Sequence, residues 1–172
     1  MSFSRLSLGL LVLVLAGACR RSISPEEMTA RHAVREALHE RAFSRAIPLA
    51  RQVVHFAPND DGAWARLVQA QLGARDLRAL RQTFDEWSRA VKKPSAKYDE
   101  YRGDLALAEG RSADALDAWR KAVAHGRGKP RVSIKIARLE QANGHWMEAA
   151  ADWTRGLQDE PGASALINRA IC

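Results

Sequence analysis

An interval of 34 or 35 residues constrains this chain more than any other feature. Ala46, Leu80, Ala115 and Ala149 are spaced by 34, 35 and 34 positions. Four residues after each come Ala50, Phe84, Trp119 and Trp153. Seven after come Val53, Trp87, Ala122 and Gly156, and eight after come Val54, Ser88, Val123 and Leu157. Pro58 and Pro161 stand twelve after the first and last of the series, with Pro94 two residues later in the second copy. Such a period marks a repeat array whose units cannot bury their apolar faces alone, so neighbours must stack. Aromatics are only 6% of the chain and Ala is abundant, which favours helix over sheet.

Local signals place the helices. Ser24-Pro25-Glu26-Glu27 reads as a capping box with Pro at the first helical position. Ser95 and Ser112 are N-cap candidates, and Ser44 as N-cap would put Pro48 in a first turn, where its missing N–H costs little. Gly73, Gly110 and Asn143-Gly144 are read as tight turns within units. Helices are expected over 25–41, 44–56, 61–72, 76–91, 96–109, 112–124, 130–142, 145–158 and 163–172.

This pattern resembles the tetratricopeptide repeat (TPR), a helix–turn–helix unit. The third copy carries Gly103 to Gly110, Ala115, Trp119 and Ala122; the fourth carries Ala137 to Gly144, Trp146, Ala149, Trp153 and Pro161. The second keeps Trp64, Leu67 and Phe84, and the first, around Ala46, is the most degenerate. The resemblance implies an all-α, right-handed superhelical solenoid of about four repeats and a short C-terminal helix. Repeats are expected at about 27–60, 61–95, 96–129 and 130–163, with a partial cap at 164–172. Residues 163–172 look like the start of a further repeat, so the alternative is the front end of a larger exported protein whose activity lies beyond Cys172.

Residues 1–18 form a different segment. Arg5 precedes an uncharged Leu/Val-rich run, Leu6 to Ala18, too short to span a bilayer, and small residues Ala16, Gly17 and Ala18 precede Cys19. This resembles the lipobox of bacterial lipoproteins, which implies a cleaved signal and acylation of Cys19. Ala16 stands where that pattern prefers Leu. The alternative is an ordinary cleaved signal followed by an incidental Cys. A linker at 19–26 would follow, with Arg20-Arg21 near anionic headgroups. With Arg20 after Cys19, similarity to enteric sorting rules points to the outer membrane, facing the periplasm.

Chemistry is sparse. His32, Glu36 and His39 share a helix face that reads as solvated, and no catalytic or metal constellation stands out, so no enzyme activity and no cofactor are expected. The resemblance implies that first helices line a peptide groove. Arg31, Arg35, Arg66, Gln69, Lys97, Tyr101, Lys135 and Arg138 would face it, with Glu100 and Asp104 interrupting. Arg forks match carboxylates, so an acidic or C-terminal peptide segment of an envelope protein is the expected partner. The formal charge of +7 and pI near 10.0 raise nucleic acid as a partner, but export argues against it and favours an anionic membrane or glycan. The expected role is a membrane-anchored interaction scaffold of the cell envelope. Intact mass of protein extracted from native membranes should match a chain starting at Cys19 plus acyl groups; an unacylated mass starting there would sink the anchor.

Overall fold

A computed structural model describes residues 22–93, 95–126 and 129–157, and every described element is helical. Eight helices follow in order: α1 (Pro25–His39), α2 (Phe43–Phe56), α3 (Asp61–Ala74), α4 (Leu77–Ala90), α5 (Ala96–Ala108), α6 (Ser112–Ala124), α7 (Lys129–Ala142) and α8 (Trp146–Leu157). They pair as hairpins α1–α2, α3–α4, α5–α6 and α7–α8. Between hairpins, α2 packs on α3, α4 on α5 and α6 on α7, while α3 also touches α5. Cys19, Pro161 and the expected helix at 163–172 lie outside the described residues.

The hairpin turn is built the same way four times. Backbone N–H groups of Ala42, Asp76, Arg111 and His145 donate to the carbonyls of Ala37, Gln71, Ala106 and Glu140 at 2.8–3.1 Å. The residue before each donor is left-handed: Arg41 (φ 55°), Arg75 (φ 58°), Gly110 (φ 77°) and Gly144 (φ 82°). These six-to-one bonds close the last turn of each first helix. Arg41 and Arg75 adopt a conformation that favours glycine, and the repeated turn holds them there.

Three local expectations differ from the structure. Gly73 lies inside α3 rather than in a turn, and a Cβ there would meet the Phe43 ring at 2.3 Å. Helix α2 starts at Phe43, so Pro48 falls beyond the first turn. Pro48 and Ser44 are both exposed, so the Ser44 carbonyl, which lacks the Pro48 N–H, lies on a solvent-facing side where water can serve it. Ser112 is the first residue of α6 and supplies no cap bond; Arg111 holds the cap position. Ser24, Asp60, Asp76 and Ser95 do cap their helices, at 3.1, 2.7, 3.0 and 3.2 Å.

Large aromatics fill the space that small residues leave. Ala46, Ala115 and Ala149 are wholly buried, as are Trp87 and Trp153, with Trp64, Phe84 and Trp119 nearly so. Trp87 stacks on Phe84 at 5.9 Å, and Tyr98 of α5 packs edge-on against both. That cluster joins the second hairpin to the third. Trp87 Nε1 donates to Asp61 at 2.8 Å and Trp64 Nε1 to the Pro58 carbonyl at 2.7 Å, so each ring is oriented as well as buried.

Gly103 admits Trp119: a Cβ there would sit 2.4 Å from the indole. Trp119 is pinned by two hydrogen bonds and cannot retreat. Gly103→Ala should therefore destabilise the fold by about 1–3 kcal/mol, despite the better helix propensity of Ala. Arg75→Gly should stabilise it by about 0.5–1 kcal/mol through relief at positive φ. Urea unfolding of both variants checks the opposite signs; a stabilised Gly103→Ala would refute the packing account.

Candidate functional site

The third and fourth hairpins bring a charged ladder and an apolar cleft together. Helix α5 supplies Glu100, Tyr101, Asp104 and Leu107; α7 supplies Arg131, Lys135, Arg138 and Leu139. Asp104 stands three or four residues from each of the other three in α5, as Lys135 does in α7, so each set lies along one helix face. Lys135 Nζ donates to Glu100 at 2.8 Å and to both Asp104 oxygens at 2.8 and 2.7 Å. Arg131 donates to Glu100 at 2.6 Å. The ammonium also lies 5.8 Å from the centroid of the Trp119 ring. Trp119 Nε1 completes the ladder by donating to the Glu100 carbonyl and to Asp104, each at 3.0 Å.

The two carboxylates respond differently to this setting. Burial pushes Glu100 up, but the hydrogen bonds and charges of Lys135 and Arg131 outweigh it and hold the group below its ordinary range. Burial dominates at Asp104 and raises it, with Lys135 offsetting only part of the penalty. Burial and the neighbouring Glu100 also raise the Tyr101 phenol.

Beside the ladder lies an apolar cleft of about 370 Å³ lined by Leu107, Trp119, Leu139 and Ala142, with Asp104, Lys135 and Arg138 at its rim. Leu107 is 41% exposed, unusual for a large apolar side chain in this core. The cleft sits between first helices of consecutive hairpins and is an open recess rather than an enclosed chamber.

The eight residues assigned from the sequence to a groove separate into two groups. Arg31 donates to Glu27 at 2.8 Å and to Asp60 at 2.7 Å, Arg66 donates to the Gly62 carbonyl at 3.0 Å, and Lys135 is held as described. Tyr101 is half-buried in the ladder. Arg35, Gln69, Lys97 and Arg138 are exposed and form no ion pair among the described residues. Burial at Asp60 is outweighed by Arg31 and the Gly62 N–H, so its carboxyl lies below the ordinary range. The acidic positions are thus internal counterions of the array. Sequence reading missed Leu107, Leu139 and Ala142; their signal was faint, because apolar residues at helical spacing read as ordinary core.

His32 Nδ1 approaches Glu36 at 3.4 Å with both side chains exposed. Among the described residues no group of three or more His, Cys, Asp and Glu is placed to hold a metal ion, and no helix is long and apolar enough to cross a membrane.

No protein-family model and no curated protein matches this sequence. Solved structures do match. TTC0263, a thermophilic TPR protein in Thermus thermophilus, aligns with a TM-score of 0.72 at 18% identity, over 84% of this chain and 80% of that one. A crystal structure of MamA aligns at TM-score 0.62 and 14% identity, over 85% and 80% of the two chains. The MamA RS-1 ArsTM double mutant aligns at 0.64 and 11%, over 87% and 84%. The chain has the tetratricopeptide-repeat fold.

Lys135→Met should expose the cost of the ladder. Glu100, lowered in the fold, contributes stability above its unfolded pKa and loses it as pH falls through its folded value. Asp104, raised in the fold, has the opposite sign: its contribution is present below its unfolded pKa and is lost as pH rises through its folded value. Removing Lys135 penalises both ionised groups, so the variant should lose about 1–3 kcal/mol near pH 7. The deficit should shrink as pH falls towards 4, where the carboxylates protonate. Urea unfolding across pH reads this; a deficit independent of pH would refute the charge account.

Proposed function

We propose that this chain is a non-catalytic protein-interaction scaffold, anchored to a bacterial envelope membrane through acylated Cys19. The cleft beside Trp119 carries the proposal. It places a partly exposed Leu107 and an unpaired Arg138 on adjacent first helices, in a fold whose hairpins present such surfaces to client chains. The client segment inserts an apolar side chain between Leu107 and Leu139 and sets a carboxylate against Arg138. Arg138 is free for this, whereas Lys135 already holds two carboxylates. An acidic segment with an apolar anchor fits better than a purely acidic one. The charged ladder keeps the first helices in register and leaves the recess between them open.

The envelope location rests on residues 1–19, whose uncharged run and small residues before Cys19 read as an export signal. Acyl chains there would hold the array at a bilayer without a spanning helix.

A photo-crosslinking residue at Leu107, in the native host, should trap a discrete client. Arg138→Glu should weaken that adduct about tenfold or more, because a like charge would meet the client carboxylate. A crosslinker on the distant exposed face of α4, at Gln82, should not trap the same protein. Equal trapping from both positions, or none from Leu107, would overturn the site.

A further inference from the structure

Charge is segregated between the two edges of this array. Helices alternate direction, so α1, α3, α5 and α7 all begin on the edge where the connections between hairpins run. The hairpin turns occupy the opposite edge. Two neighbouring connections, α4–α5 and α6–α7, are tied together: His125 lies 3.0 Å from Asp99, and Arg131 bonds Glu100 at 2.6 Å. No acidic residue occurs from Trp87 to Tyr98 or from Ala118 to Leu139. Arg89, Lys92, Lys93, Lys97 and Lys121 are exposed there, and their side chains form no ion pair among the described residues.

Among the acids on the same edge, Glu26 in the first turn of α1 is exposed, but most of the others are engaged, so the edge keeps a cationic excess. Asp99 and Glu100 are buried and engaged as above, Asp60 is held by Arg31, and Asp61 accepts from Trp87. On the hairpin-turn edge, by contrast, Glu40, Asp76, Glu109, Asp114 and Glu148 interleave with the Arg residues. Arg45 there pairs with Glu40, Arg81 with Glu109, and Arg111 with Glu109 and Asp114.

Helix α1 begins at Pro25, on the cationic edge, six residues after Cys19. Six extended residues reach about 20 Å, so a lipid on Cys19 tethers this edge to the bilayer, while the opposite edge stands one helix length, about 22 Å, further along from the tether. We propose that the cationic edge is a headgroup-docking surface that lies on an anionic phospholipid leaflet beside the anchor. The orientation rests on the Cys19 reading above; the affinity of the edge for anionic lipid does not. Four of the five unpaired cations are Lys, which act as point charges on a diffuse surface rather than forks for one carboxylate. Trp87 is buried and packs against Tyr98 at 5.2 Å, so it offers no face to a nucleobase. Each Lys or Arg near an anionic leaflet strengthens binding by about fivefold.

The eight described helices all start after residue 24, so a chain lacking residues 1–18 keeps every contact described here. The test uses that chain with Cys19→Ser, sedimented with phosphatidylglycerol–phosphatidylcholine vesicles and with phosphatidylcholine alone. Binding should require phosphatidylglycerol and weaken steeply with salt. Lys92→Glu/Lys93→Glu/Lys97→Glu should lose about 100-fold or more. Arg41→Glu/Arg75→Glu/Arg78→Glu, on the opposite edge, should lose much less. Circular dichroism checks that both variants stay helical. Equal binding to both vesicles, equal loss in both variants, or tighter binding to short duplex DNA than to anionic vesicles would overturn the proposal. No acyl chain takes part in this assay, so the two readings fail separately. Vesicle binding with an unacylated native mass sinks the anchor alone. No vesicle binding with an acylated native mass sinks the docking edge alone.

Discussion

Where the two helices of the first, third and fourth hairpins meet, both carry small residues: Ala37 and Ala46, Ala106 and Ala115, Ala137 and Ala149 are buried together in separate clusters, while the second hairpin has Leu80 at that position. Methyl groups let the backbones approach closely, and the larger rings fill the wedge beyond the contact. Gly103 is the extreme case, since even a methyl would strike Trp119. The identical six-to-one turn bond closes each hairpin at that contact. Everything else, including the spacing of first helices and the cleft between them, follows from this close approach.

Electrostatics is arranged around that frame rather than supplying it. The ladder from α5 to α7 neutralises carboxylates that packing has buried, and it costs desolvation to build. A related choice appears at equivalent repeat positions Gln71 and Glu140. Glu140 is buried but bonded by Arg120 and His145. Gln71 is buried with neither amide atom bonded to another described group. The Trp positions show the same variation. Trp119 donates to Asp104, but the corresponding position in the fourth hairpin is Arg138, and the Trp153 N–H has no acceptor among the described residues. The exchange leaves an exposed guanidinium by the cleft, which a purely structural optimum would not favour.

The basic composition acquires meaning only after this partition. Arg31, Lys135 and Arg131 are internal counterions, and the turn-edge Arg residues sit among acids. Among the described residues, unpaired cations remain at Arg35, at Arg138 beside the cleft and along the edge between hairpins. A single net charge thus hides three physically different populations of cation.

The 34-residue period, the Ala content and the Ser and Asp caps determined the helical-hairpin array and nearly every helix, because those signals are local and recur in phase. Sequence reading erred where local signals competed. Gly73 looked like a turn residue, yet the repeated turn geometry put Arg75 at positive φ and left Gly73 to accept the Phe43 ring. Pro48 was tolerated deeper in α2 because its face of the helix meets water. Tertiary structure alone decided which groove residues are engaged, that Asp104 and Glu100 bind Lys135, and that Leu107 and Leu139 border a recess. Those facts depend on pairs 31 or 35 residues apart meeting across stacked hairpins, a geometry that no spacing within one helix contains.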